Sequence, residues 1–234
     1  MTDILEVRDI HTFIGQFHIL EGVSVSVPKG GITVLLGRNG AGKTTTLRSI
    51  MGLTPPAQGT ITFDGRAING MSTHAIAALG IGYVPENRGI FKELTVRENL
   101  QLAERKRGDL TAKADLIFTL FPDLKRLIAL PGGNLSGGQQ QMLSVARALV
   151  PDNRLLLIDE PSEGLAPVII EQLIAAIRQL AGQVSVLLVE QNFRVASLLA
   201  QHYVIIDDGQ SPERGRMSDL VGDQALIQRY LGVA

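Results

Sequence analysis

No cysteine and no tryptophan occur among the 234 residues. The first absence excludes disulfides and thiolate metal sites. Aromatic residues of all kinds make up only 4% of the chain, which argues against a module that stacks on bases or sugars. Neither sign of charge dominates: 22 basic residues face 23 acidic ones, a net charge of −1, so bulk charge makes no case for a nucleic-acid partner. No apolar run approaches the roughly 18–20 residues of a membrane span. The opening MTDILEVRDI lacks the basic stretch and apolar segment of a secretory signal. A cytoplasmic protein is expected, one whose contact with a membrane runs through partners. His11, His18, His74 and His202 show no metal-ligand spacing and read as ordinary structural histidines.

What is present is a hydrophobic share of 45%, enough for a globular core in one large domain or a domain with an inserted lobe. Apolar runs at 4–7, 23–27, 32–36, 60–63, 154–158, 184–189 and 203–206 predict strands. Helical spacing of apolar residues recurs over 42–52, 111–121, 137–150, 167–181 and 192–201. This alternation implies an α/β fold with a mainly parallel sheet. The early strands lie close together around turn signals at Pro28-Lys29-Gly30 and Asp64-Gly65, and predict an N-terminal antiparallel β subdomain. Residues 95–150 offer no convincing strand, so a helical lobe of about 87–150 is expected within a single domain spanning 1–234, its core formed by 1–86 and 151–234. The charge run Glu104–Asp109 reads as a solvated loop between helices.

ITVLLGRNGAGKTTTL places a buried strand, a glycine loop and a helix in that order. Gly37, four residues, then Gly42-Lys43-Thr44 is the P-loop pattern of a nucleoside-triphosphate site. Gly37, Gly40 and Gly42 allow a backbone nest whose N–H groups converge on phosphate oxygens. Arg38, Asn39, Ala41 and Thr45 complete the candidate nucleotide-binding loop. Lys43 supplies a point charge for the β- and γ-phosphates, and Thr44 a hydroxyl for Mg²⁺. RLLLIDEP at 154–161 is the expected companion: an apolar strand that delivers Asp159 and Glu160 at its carboxyl end. Asp159 is the candidate metal ligand. Glu160 is the candidate catalytic residue, placed to orient and polarise an attacking water.

LSGGQQQ at 135–141 is a second phosphate-like element. Ser136 reads as an N-cap, and Gly137 and Gly138 as the exposed first turn of a helix whose dipole favours an anion. It has no lysine and no metal ligand, so it cannot be an independent nucleotide site. Symmetry supplies a reason for it: two chains pair head to tail, and Ser136, Gly137, Gly138 and Gln139 of each cap the γ-phosphate held by the other. ATP then holds the pair together until hydrolysis removes it.

GRNGAGKT, LSGGQ and LLLIDEP, in this order and over essentially the whole chain, resemble the ATP-binding subunits of ABC transporters. The resemblance implies ATP and Mg²⁺ as cofactors and ATP hydrolysis as the activity. It implies a second ATPase subunit, identical or paralogous, and membrane permease subunits, with the protein peripheral on the cytoplasmic face of the inner membrane. Three positions depart from the general pattern. Glu86 in YVPENRGIF stands where the family usually has glutamine, and a carboxylate there can bind Mg²⁺ or its water. Gln191 in LLVEQN stands at the position of the usual switch histidine; it can donate an amide hydrogen bond to a γ-phosphate but cannot titrate. Its bland alternative is a cap on the helix beginning near Asn192. Ile14, with Phe13 and Phe17 nearby, holds the place of the adenine-stacking aromatic. VPE, VEQN and SEGLAP together are similar to the second ATPase subunit of importers for branched-chain amino acids, with urea and short-amide importers close by. A periplasmic binding protein is then an indirect partner. Soluble ABC ATPases that act on DNA or ribosomes carry tandem domains, a coiled coil or zinc fingers, and none is read here. Ile90, Phe91 and Leu94 fit equally a groove for a membrane subunit or ordinary lobe core. Pro212 in QSPERG predicts an irregular hairpin near the C-terminus.

Overall fold

The computed structural model describes residues 2–232. Its strands are β1 (Asp3–Ile14), β2 (Phe17–Pro28), β3 (Ile32–Leu36), β4 (Gln58–Phe63), β5 (Arg66–Ala67), β6 (Ile81–Val84), β7 (Leu155–Asp159), β8 (Ser185–Val189), β9 (His202–Asp207) and β10 (Gln210–Arg216). Its helices are α1 (Lys43–Ile50), α2 (Thr73–Ala78), α3 (Val96–Gln101), α4 (Asp109–Leu120), α5 (Pro122–Arg126), α6 (Gly137–Leu149), α7 (Pro167–Leu180), α8 (Phe193–Leu199), α9 (Met217–Gly222) and α10 (Gln224–Leu231).

Six strands form the central sheet in the order β10-β9-β3-β8-β7-β6, parallel except for the edge pair β10–β9. β3, β7 and β8 are buried at every residue, as continuous apolar strands covered on both faces must be. Their side chains alternate between two cores. Val34, Leu156, Leu188 and Ile205 face one that also takes in α6, α7 and the lobe helices. Leu35, Leu157, Leu187 and Val204 face the other, closed by α1 and the antiparallel sheet β2-β1-β4-β5. The lobe residues Val96, Leu100, Ile117, Phe121 and Leu143 belong to the same apolar cluster as the sheet residues Ile158 and Val186.

The expected α/β fold, with a mainly parallel core sheet and an N-terminal antiparallel sheet, is found, with additions. β6 is a four-residue strand, IGYV, that the sequence pattern did not reveal. α2, α3 and α5 are likewise short. α3 begins at a capping box, Thr95 with Glu98, which satisfies two backbone donors that a six-residue helix would otherwise leave open. The register of β10 slips between Gln210 and Glu213, around Pro212, which has no N–H for the ladder. The charge run does join α3 to α4, but it is not simply solvated: Arg105 reaches back to Asn153 Oδ1 at 2.7 Å, and Asp109 Oδ2 accepts the Arg105 and Lys106 N–H groups.

Candidate nucleotide-binding site

The site forms where β3, β7 and β8 end. β3 runs into the loop 37–42, and α1 begins at Lys43, with Gly42 as its left-handed N-cap. Gly37 cannot be replaced: its φ is +148°, and an added Cβ would stand 2.1 Å from the Ile206 carbonyl oxygen. Lys43, only 4% exposed, donates to the carbonyls of Gly37 and Arg38, both at 2.9 Å, and its Nζ stands 3.6 Å from Glu160 Oε1. These bonds hold the ammonium over the loop's own mouth.

β7 delivers Asp159 fully buried. The Thr44 hydroxyl donates to its Oδ1 at 3.0 Å and the Tyr83 hydroxyl, from β6, to its Oδ2 at 3.3 Å. Burial pushes the Asp159 carboxyl up to about 6, against the Thr44 bond and with added repulsion from Glu160. A carboxylate so short of compensation, beside a hydroxyl, is a donor set suited to a hard cation such as Mg²⁺. Among the described residues no three His, Cys, Asp or Glu side chains could hold a metal. Thr44 and Asp159 would therefore share the ion with phosphate oxygens and water. Burial raises the Tyr83 hydroxyl still further, which keeps it a donor.

Glu160 follows in a left-handed conformation, φ +43°, with its N–H bonded to the Val189 carbonyl at 3.0 Å. Gln191 Nε2 donates to Glu160 Oε2 at 2.6 Å. Gln191 therefore does not cap α8; Asn192 does, accepting from the Val195 N–H. A cavity of about 250 Å³ is lined by Asn39, Gly40, Gly42, Lys43, Thr44 and Thr45 on one side and Glu86, Glu160, Glu163 and Gln191 on the other. The Glu86 carboxyl is held above its usual range, first by partial loss of hydration and then by the nearby Glu163 and Glu160.

Other candidate residues lie apart from this cavity. Arg38 turns its side chain toward the Arg229 carbonyl in α10 at 3.4 Å, and Ala41 is buried in the core, so neither side chain lines it. Ile14 sits 47% exposed at the end of β1, with Phe13 stacked on His18 beside it, and does not line it either. Ser136, Gly137, Gly138 and Gln139 begin α6, outside the cavity lining. Ser136 and Gln139 form a reciprocal capping box, at 3.3 and 3.0 Å. Only Gly137 of the two glycines is exposed. Gly138 is buried because Ile169 of α7 packs on it; an added Cβ would stand 2.7 Å from Ile169 Cγ2. Ile90 packs on the large core, whereas Phe91 stays 49% exposed beneath the Arg147 guanidinium.

Tyr83 and Glu163 are site residues that sequence reasoning missed. Tyr83 sits in a strand too short to recognise. Glu163 lies inside the quoted SEGLAP, but its approach to Glu86 depends on folding.

This architecture defines a P-loop nucleotide hydrolase. The ABC transporter family profile matches residues 20–163, and the chain belongs to that ATP-hydrolysing family, whose members work with transporter membrane subunits. The chain is 38% identical over 232 residues to the high-affinity branched-chain amino acid transport ATP-binding protein BraG of Pseudomonas aeruginosa, covering 98% of this chain and 100% of that one. It is 33% identical to the lipopolysaccharide export system ATP-binding protein LptB of Escherichia coli, over 92% and 91%. Among solved structures, the ADP conformation of an ATP-binding cassette of an ABC transporter matches with a TM-score of 0.86 at 26% identity, over the full length of both. No helix among the described residues is long and apolar enough to cross a membrane.

Proposed function

We propose that this chain is the ATPase subunit of an importer for branched-chain or chemically related amino acids, working at the cytoplasmic face of the inner membrane. The end-to-end match to BraG carries this reading, since it covers the whole of that protein at higher identity than the match to the exporter subunit LptB. The membrane subunits form the path, and a periplasmic binding protein presents the substrate. The helical lobe, about 87–150, with the exposed Phe91, is the part offered to the membrane subunits.

In this reading the loop amides and Lys43 hold the phosphates of ATP. Thr44 and Asp159 would hold Mg²⁺, with Glu86 close by, and the ion would supply neutralisation of phosphate charge. Glu160 accepts a proton from the attacking water, and Gln191, bonded to Glu160, reports the γ-phosphate. The capped start of α6 lies outside the cavity, as expected if Ser136, Gly137, Gly138 and Gln139 complete the site of a second ATPase subunit.

Reconstitution of the full complex in vesicles tests the assignment. ATP-dependent uptake of leucine, isoleucine or valine is expected. ATP-driven uptake of urea or a short amide instead, or outward movement of a lipid, would replace it.

A further inference from the structure

Glu190 precedes Gln191 and is 2% exposed. A carboxylate buried this deeply must be well solvated by the protein itself. Glu190 Oε2 accepts the Ser162 hydroxyl at 2.8 Å, and Oε1 accepts the N–H groups of Gln191 and Asn192, both at 2.9 Å. All three partners are neutral, so this is a set of directed dipoles and not an ion pair.

The donors come from two loops that are distant in sequence. Ser162 lies in the segment leaving β7, just past Glu160; Gln191 and Asn192 lie in the segment leaving β8. The same two loops meet again at the cavity, through Gln191 Nε2 and Glu160 Oε2 at 2.6 Å. Glu160 and Gln191 are thus set in a frame with two rungs, one facing the cavity and one buried beneath it. Such a frame is physically needed, because the left-handed backbone of Glu160 costs a non-glycine residue energy that its surroundings must offset. Next to Ser162, Glu163 and Gly164 are exposed, so the outer edge of this loop is open to a neighbouring molecule while its base is tied to Glu190.

We propose that Glu190 is a positioning residue for ATP hydrolysis: by tying the 160–166 loop to the 190–192 loop, it sets the direction in which Gln191 and Glu160 meet the γ-phosphate and the water. The inference rests on the assignment of Glu160 and Gln191 made above. Lys43, Thr44 and the phosphate loop make no bond to Glu190 or Ser162, so nucleotide affinity should not depend on this tie.

The test compares Glu190→Ala, Ser162→Ala and Ser162→Thr in the full chain, by steady-state hydrolysis, equilibrium ATP binding and amide hydrogen exchange. Glu190→Ala should lower kcat ~10–100-fold, the scale of a misplaced reacting group, with KM and ATP affinity unchanged. Exchange should quicken in both loops together. Ser162→Ala should lose part of kcat, and Ser162→Thr, which keeps the hydroxyl, should recover most of it. The double alanine variant should be no slower than Glu190→Ala, since Glu190→Ala already removes the one bond that Ser162→Ala removes. If Glu190→Ala does not fold, the Ser162 pair decides: equal kcat in Ser162→Ala and Ser162→Thr overturns the proposal. So does a Glu190→Ala protein with parental kcat per folded molecule, or one whose loss lies wholly in KM. Glu160→Gln, measured alongside, separates the two levels. Parental hydrolysis by Glu160→Gln would remove the site assignment itself. Its loss together with a fast Glu190→Ala would remove only the positioning role.

Discussion

Three glutamates and one lysine line the cavity, an unusual balance for a place that must receive phosphates. Glu86 and Glu163 add negative charge where a nucleotide and its metal would arrive; partial burial first, and then this crowding, raises the Glu86 carboxyl. Metal-free ATP should therefore be held less well than its Mg²⁺ complex. Glu163→Gln should tighten binding of ATP in excess EDTA on the order of three- to tenfold, the effect of removing one nearby charge, and should change Mg·ATP binding less. Calorimetric titration in the two buffers reads the difference. At Gln191 the bond to Glu160 predicts chemistry. Gln191→Ala should lower single-turnover hydrolysis while ADP affinity stays the same. Gln191→His should stay active and gain a pH dependence near ~6.5, where an unperturbed imidazole titrates and the parent amide does not. A Gln191→Ala variant with parental hydrolysis and a lowered melting temperature would reduce the residue to a structural role.

At the scale of elements, α6 carries the sharpest constraints. Its first turn has one open glycine and one closed one. Gly138→Ala forces a methyl group into Ile169 and should destabilise the fold by about 1–3 kcal/mol, as overpacked cores do, a loss seen in urea titration without nucleotide. Ser136→Arg leaves the core untouched and breaks the capping box at an exposed position. It should abolish ATP-dependent pairing of Glu160→Gln subunits in light scattering and leave monomer nucleotide binding intact. These elements were legible in the sequence, because β3, β7 and β8 are mostly apolar runs and α6 shows a clear helical period. The turn from β3 through the glycine loop into α1 was legible because its residue types and spacing are those of a phosphate-binding loop. β6 was not, since four residues with a glycine among them carry little pattern. Neither was the burial of Gly138, which follows from where α7 packs. The Tyr83–Asp159 and Ser162–Glu190 bonds join residues whose nearness only the parallel sheet creates.

For the molecule as a whole, the two sheets are tied at the surface by Asp64, which pairs with Lys29 at 2.7 Å and Arg154 at 2.5 Å. The Lys29 hydrogen bond, then that of Arg154, lowers the Asp64 carboxyl below its ordinary 3.8. A depressed folded-state value means that this stabilisation is present above pH 3.8 and fades as pH falls through the lower value. The melting-temperature gap between the parent and Asp64→Asn should hold from pH 7 to 5 and close in more acidic buffer. Exposed pairs are screened, so high salt should narrow it as well.

The strand order also governs how the molecule is made. β1, β2, β4 and β5 are all complete in the sequence by Ala67 and pair among themselves. β3, which carries the phosphate loop, has no such neighbour: its partners are β8, beginning at Ser185, and β9, beginning at His202. During synthesis this buried strand must wait until most of the polypeptide is made before either of its edges is paired, which is slow and exposes it to wrong partners. A chain released at residue 150 would contain the full phosphate-binding and LSGGQ motifs and should bind no nucleotide.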